Sequence, residues 1–297
     1  MANISTFITQ LASSHPSTTK AALWTVARSY MLFPRQRHWL FDSLAGELHY
    51  LVPVGARLGN GMRVVVPWND DGGRAIYETG WYEPATVRAV ESLLKPGMVF
   101  MDIGANMGQY SLLASKIVGP AGAVHSFEPS PTMYPWLARN VRLNNARNIH
   151  TNRLGLSDCE KTVTLYLSTP ENQGATSMQP QYNFSGKTAE VQCVALDGYL
   201  AQQGIRKVDA MKIDVEGAEL EVFRGAEKLL TGQQRPGMVI EFEEGCQRRF
   251  GSSCAKLAAH LTDRGYKLMT IRPSGLESYQ LEHSRAYTLN VLAVPQT

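Results

Sequence analysis

The sequence predicts a doubly wound α/β fold with a mostly parallel sheet, and three observations carry that prediction. From about residue 84 onward, short apolar runs alternate regularly with helical stretches of about 10–14 residues, the pattern of βαβ units. The apolar runs, among them Met98–Ile103, Val124–Phe127, Val208–Ile213 and Met238–Phe242, are nearly continuous rather than alternating, as strands covered on both faces must be. Acids stand at the ends of these runs (Asp102, Glu128, Asp214), where open sheets of this kind bind ligands.

Along the chain, residues 1–45 read as helical, carrying Leu23, Trp24, Tyr30, Phe33, Trp39 and Phe41. Two β-rich runs, Glu47–Val54 and Met62–Trp68, flank Gly59-Asn60-Gly61 and predict a hairpin, followed by a loop over Asn69–Gly73. A helix at Pro84–Leu94 stops at Lys95-Pro96-Gly97. Strand Met98–Ile103, helix Met107–Ile117, strand Val124–Phe127, helix Pro131–Leu143 and strand Ile149–Leu156 follow. A β-rich excursion, Thr162–Leu167 and Glu190–Leu196, brackets a polar loop, Thr169–Ala189. Its turn-forming Asn172, Gly174, Ser177 and Gly186 suggest a mobile cover for a site. Alternation resumes with strand Val208–Ile213, helix Ala218–Leu230, strand Met238–Phe242, helix Ser252–Arg264, strand Tyr266–Ile271 and a last apolar run, Tyr287–Val294.

With 297 residues, 44% hydrophobic and 19% charged, the chain can bury a full core. A net charge of +3 gives no basic face that would call for nucleic acid. Four cysteines (Cys159, Cys193, Cys246, Cys254) have neither zinc-ligand spacing nor the density of a disulfide framework. No secretory leader is recognisable. The apolar run Ala21–Phe33 contains Arg28 and falls short of the roughly 20 residues a bilayer span needs. The expected setting is therefore the cytoplasm, with no membrane span and a small-molecule partner.

The ligand is read from Val99-Phe100-Met101-Asp102-Ile103-Gly104-Ala105-Asn106-Met107-Gly108. An apolar strand runs into an acid, a turn with glycines four apart, and a helix. A dinucleotide site would place pyrophosphate on that helix through G-x-G-x-x-G, and a P-loop would need G-x-x-x-x-G-K-[ST]. Neither spacing is present, and Asp102 would repel a phosphate. S-adenosylmethionine carries no phosphate but an ammonium and a sulfonium, for which a carboxylate is a favourable neighbour. Glu128, about 20 residues beyond Gly108, ends the next strand, where an acid can accept both hydroxyls of a ribose. Ser157-Asp158, after the third strand, are candidates for the adenine edge.

A second cluster, Met211-Lys212-Ile213-Asp214-Val215-Glu216-Gly217-Ala218-Glu219, puts Asp214 at a strand end and Glu216 and Glu219 at a helix start. Glu219 fits a helix cap and dipole partner. Asp214 and Glu216 face the strand-end crevice. With Glu241 on the neighbouring strand and Glu243 beyond it, they supply candidate bases where no histidine sits. Asp214 is the first choice as base or acceptor-orienting group, and Glu241 the second. The same acids could hold Mg²⁺ through hard oxygen ligands, although no metal ligand is assigned.

These motifs make the chain similar to the FkbM-type family of S-adenosylmethionine-dependent methyltransferases. The matching pieces are Gly80-Trp81-Tyr82-Glu83-Pro84, Asp102-Ile103-Gly104-Ala105-Asn106, Phe127-Glu128-Pro129, Leu196-Asp197 and Lys212-Ile213-Asp214-Val215-Glu216-Gly217. They come in family order over roughly residues 50–295, whereas the first 45 residues match nothing. The resemblance implies a class I methyltransferase sheet with its last strand antiparallel. The expected division of the chain is an appendage of helices and hairpin over residues 1–75 followed by a methyltransferase domain over 76–297. The resemblance also implies methyl transfer, most often to a hydroxyl of a sugar, polyketide or other secondary metabolite. Asp102, Gly104, Asn106 and Gly108 would line the methionine part, Glu128 the ribose, and Ser157 and Asp158 the adenine. Glu83 would stand near the cofactor or substrate entrance, and Asp214 and Glu216 would face the acceptor. Transfer to nitrogen or carboxylate, or binding of S-adenosylmethionine without catalysis, are the alternatives. A homodimer is compatible with all of them.

Overall fold

A computed structural model describes residues 53–280 and 288–296. The helices expected over residues 1–45 and the start of the first hairpin run lie outside the described residues. Strands β1 (Pro53–Arg57) and β2 (Arg63–Pro67) form the expected hairpin. Its first strand continues to Arg57, three residues past the expected end, because the turn is the tight one closed by Gly61 N–H to the Leu58 carbonyl, 2.7 Å. Asn69–Gly73 is not a loop. Asp70 accepts the Gly73 N–H at 2.8 Å and starts a helix, Asp71–Thr79, a strong N-cap that two adjacent glycines conceal. The boundary expected between residues 75 and 76 falls inside this helix. Val64, Val66 and Ile76 share a core with Phe100 and Leu112 of the units that follow.

The central sheet contains β3 (Val99–Ile103), β4 (Ala123–Phe127), β5 (Ile149–Asn152), β9 (Ala210–Ile213) and β10 (Gly237–Glu243), all parallel. It also contains β11 (Tyr266–Arg272), β12 (Gly275–Ser278) and β13 (Thr288–Pro295). The strand order is β12-β11-β13-β10-β9-β3-β4-β5. The last strand, β13, is antiparallel to both β10 and β11, as expected. β12 is an edge strand that its exposed residues, Gly275–Ser278, gave no apolar pattern to reveal.

Side chains alternate across this sheet, and that alternation builds the site. Met101, Ile103, Met211 and Ile213 enter one core, with Phe223 and Leu257. Phe100 and Ala210 enter the other, beneath the helices Pro84–Leu93 and Gln109–Val118. With a period of two, Asp102 and Lys212 share the second face, and they are direct register partners. Asp214 lies one step further along that face, and Glu241 occupies the same face of β10, opposite Asn290 of β13.

Three expected elements are subdivided. The run Ile149–Leu156 splits: β5 ends at Asn152, and β6 (Gly155–Ser157) leaves for a small second sheet, β6-β8-β7. In that sheet β7 (Lys161–Ser168) pairs antiparallel with β8 (Phe184–Ala195). β8 takes up the end of the expected polar loop, and a 3₁₀ helix, Pro170–Ala175, takes up its beginning. The helix Ala218–Leu230 breaks at Ala226 into Glu219–Gly225 and Glu227–Thr231. Two short helices, Leu196–Gln202 and Glu244–Arg249, lacked the length for a periodic signal. No described helix is long and apolar enough to cross a membrane.

Candidate active site

A cavity of about 440 Å³ opens at the carboxyl ends of β3, β4, β9 and β10. The turn after β3 forms its floor. Gly104 has φ 82°, and a Cβ there would sit 1.8 Å from the Asp214 carbonyl oxygen, so glycine lets the ends of β3 and β9 close on each other. Gly108 (φ 94°) caps the helix Gln109–Val118, and a Cβ would meet Leu137 at 2.8 Å. Its role is packing, and it does not line the cavity. Asn106 (φ 50°) does line it, and its buried Oδ1 has no hydrogen-bond partner within the protein.

Glu128 ends β4 with both oxygens turned onto this turn. Oε2 accepts the Asn106 N–H at 2.8 Å and Oε1 the Ser130 N–H at 2.9 Å. Burial pushes its pKa up to about 7 despite those donors. Asp102 lies behind the cavity rather than on it. It is fully buried, accepts the Ser111 hydroxyl on Oδ2, and leaves Oδ1 unpartnered. Burial lifts its pKa to about 6.

The other end of the cavity is a ring of carboxyls. One oxygen each of Asp214, Glu216 and Glu241 lies within 4.8 Å of the others. Beneath them Lys212, 1% exposed, donates to Asp214 Oδ2 at 2.9 Å and lies 5.4 Å from the Tyr110 ring centroid. Burial pulls the Lys212 pKa down, but Asp214, Glu83 and Glu241 outweigh it, so the ammonium is retained. Glu216 (φ 55°) accepts from Gln181 Nε2 at 3.1 Å. Burial, then the charge of Asp214, pushes it up to about 8. Glu241 is raised well above the carboxylate range by the same two causes. Glu83 accepts from Asn290 Nδ2 at 3.1 Å and is raised by burial.

Of the residues singled out from sequence, Glu83, Gly104, Asn106, Glu128, Asp214, Glu216 and Glu241 line this one cavity. Asp102 and Gly108 support it from behind. Ser157 and Asp158 do not reach it: Ser157 is buried and donates to Glu221 at 2.5 Å, while Asp158 pairs with Lys161 at 2.9 Å. Because β5 ends at Asn152, the residues carried to the cavity there are Leu154, Gly155 and Leu156. Lys212, Tyr110, Asn290 and Asp70 were not singled out. For Lys212 a signal existed: a lysine inside an apolar strand, two residues before an acid, must find a buried partner.

The residues present fit S-adenosylmethionine. Glu128 keeps a free lone-pair direction on each oxygen, and the Asn106 carbonyl awaits a donor. Among the described lining residues, Arg249 is the one cation against eight carboxyls, so a phosphate is disfavoured and a sulfonium or ammonium favoured. Antiparallel β13 inserted between β10 and β11, with the cavity at the carboxyl edge of the sheet, is the arrangement of the class I methyltransferase fold. Residues 102–268 match the Methyltransferase FkbM domain, and the chain belongs to that family. It is 29% identical over 157 residues to methyltransferase sdnD of Sordaria araneosa, covering 43% of this chain and 60% of that protein. It is also 29% identical over 160 residues to 31-O-demethyl-FK506 methyltransferase FkbM of Streptomyces tacrolimicus, covering 45% and 61%. To hexuronic acid methyltransferase AglP of Haloferax volcanii it is 26% identical over 167 residues, covering 55% and 65%. These matches span about three-fifths of the relatives' own lengths.

Proposed function

We propose that the chain methylates a hydroxyl of a small-molecule acceptor, a sugar, polyketide or other secondary metabolite, at the carboxyl ring of the cavity. The observation that carries this reading is the grouping of Asp214, Glu216 and Glu241 around Lys212 at one end of a cavity whose other end holds Glu128 and Asn106. Bound S-adenosylmethionine supplies a methyl group on a sulfonium, open to in-line displacement. In this reading Glu128 holds the ribose hydroxyls, Asn106 and the backbone after Gly104 hold the amino-acid end, and the walls at Leu154–Leu156 take the adenine.

A hydroxyl is a poor nucleophile until a base takes its proton. Three carboxyls so close cannot all carry charge. Burial and the charge of Asp214 favour the protonated forms of Glu216 and Glu241, which can then donate hydrogen bonds to an acceptor oxygen. Asp214, with the Lys212 ammonium as its counter-charge, is the proton acceptor or orienting group. The surplus of carboxyls favours a neutral hydroxyl over a carboxylate acceptor. The four cysteines are all free, which supports a cytoplasmic setting. Incubation with labelled S-adenosylmethionine and fractionated metabolites tests the proposal. Label appearing in a hydroxyl-bearing small molecule is expected, and transfer that survives Asp214→Asn undiminished would remove the aspartate from its role.

A further inference from the structure

Asp70 stands apart from every motif above. It lies outside residues 102–268, in the hairpin-and-helix unit, yet it is 3% exposed and lines the cavity. Its Oδ1 accepts the Gly73 N–H at 2.8 Å, and its Oδ2 accepts the Gln173 N–H at 3.0 Å, across 103 residues of sequence. A carboxylate is suited to this, since it accepts on two oxygens at once. Gln173 belongs to the 3₁₀ helix Pro170–Ala175, which lies across the cofactor end of the cavity. A Cβ on Gly174 would stand 3.0 Å from Asn106 Nδ2, so this short helix rests directly on the turn after β3.

The strap continues over the carboxyl ring. Ser177 Oγ donates to the Glu216 carbonyl at 2.8 Å, and Gln181 Nε2 to Glu216 Oε2 at 3.1 Å. Asn172 through Met178 all line the cavity. At its ends the strap is continuous with β7 and leads into β8. Gly174 and its neighbours therefore cover the end of the cavity that holds Asn106 and Glu128. Among the contacts that hold the cofactor end down, the Asp70–Gln173 bond is the one made by a charged acceptor, and such bonds are the stronger kind.

We propose that Asp70 is a positioning residue that latches the Pro170–Ala175 strap over bound cofactor, so that the hairpin unit sets how long cofactor stays. This rests on the cofactor assignment above. Two substitutions isolate the latch. Asp70→Asn keeps a good N-cap but leaves one carbonyl oxygen where two acceptors were needed. Gln173→Pro leaves Asp70 intact and removes the N–H donor together with the buried glutamine side chain, so Gln173→Ala, which keeps the N–H, is its control. The backbone at Gln173 suits proline, because Asn172 already lies outside the helical region that a following proline disfavours (φ −145°, ψ 71°) and a 3₁₀ φ matches the proline ring.

Surface plasmon resonance with S-adenosylhomocysteine reads both rates. Both variants should release it about tenfold faster or more, with association within about twofold of wild type, as expected for one lost charge-assisted bond. Ligand-free Gln173→Pro should stay folded, melting below the wild type by no more than the loss of one buried hydrogen bond, and its amides over 174–178 should exchange with deuterium about tenfold faster. Unchanged dissociation in Gln173→Pro overturns the latch, as does weaker binding that comes through slower association. If Asp70→Asn fails to fold, Gln173→Pro alone decides. A wild-type chain that does not bind S-adenosylhomocysteine would overturn the cofactor assignment, and the exchange rates over 174–178 would still decide the latch.

Discussion

Replacing Glu128 by alanine removes one carboxylate with two separable duties. Its oxygens hold the Asn106 and Ser130 N–H groups at 2.8 and 2.9 Å, which shapes the turn after β3. In the proposed complex the remaining lone pairs accept the ribose hydroxyls. On the folding side, two backbone donors lose their acceptor beside a cavity that water can enter, so the cost is about 1–3 kcal/mol. The carboxyl is also held at a pKa of about 7 by burial, so its removal relieves part of that cost. On the binding side, losing a charge-assisted partner costs about 1.5–3 kcal/mol, a weakening of roughly one to two decades. Isothermal titration calorimetry with S-adenosylmethionine, beside circular dichroism melts, separates the two effects. The wild type should bind S-adenosylmethionine and not NAD. Unchanged affinity in a folded Glu128→Ala variant, or NAD binding by the wild type, would refute the assignment.

Other consequences are equally open to measurement. Glu128 and Glu216 have folded pKa values of about 7 and about 8, above the 4.5 of an ordinary glutamate. The folded chain therefore keeps protons that the unfolded chain releases, and stability present below about pH 4.5 declines as pH rises towards about 8. The melting temperature of the ligand-free protein should fall over that window, and Glu216→Gln should flatten the fall. A midpoint that rises with pH to the same degree in both proteins would contradict this. Gly104→Ala places a methyl 1.8 Å from the Asp214 carbonyl at φ 82°, and chemical denaturation should register a loss of about 3 kcal/mol or more. Asp214→Asn should lower turnover at least about a hundredfold with S-adenosylhomocysteine affinity retained, whereas exhaustive chelation should leave wild-type turnover intact. Loss of activity on chelation, restored by Mg²⁺, would turn the carboxyl ring into a metal site.

Much of the architecture was legible because buried parallel strands leave continuous apolar runs. β3, β4, β9 and β10 lie within about two residues of their expected ends, and the strand-end acids marked the edge of the sheet that carries the cavity. What was lost was lost for local reasons. The run Ile149–Leu156 reads as one β segment although His150–Arg153 are polar, and it changes sheet at Arg153–Leu154. Gly155 then packs against Cys193, whose Sγ would stand 2.5 Å from a Cβ. That change of sheet carries Ser157 to Glu221 instead of to the cavity. Lys212 and Asp102 read as separate motif residues, and only strand register makes them neighbours. Asp70 was read as part of a loop, because a contact across 103 residues leaves no trace in local pattern.

The central claim is transfer of a methyl group to a hydroxyl at this cavity, and methyl-labelled S-adenosylmethionine tests it most directly. The wild-type chain, supplied with fractionated small molecules, should place label in a product that survives mild alkali and yields a methyl ether on mass-spectrometric analysis. The Asp214→Asn chain, still binding cofactor, should not. Recovery of the label as an alkali-labile methyl ester or an N-methyl group, or no transfer by a chain that binds S-adenosylmethionine, would contradict the claim.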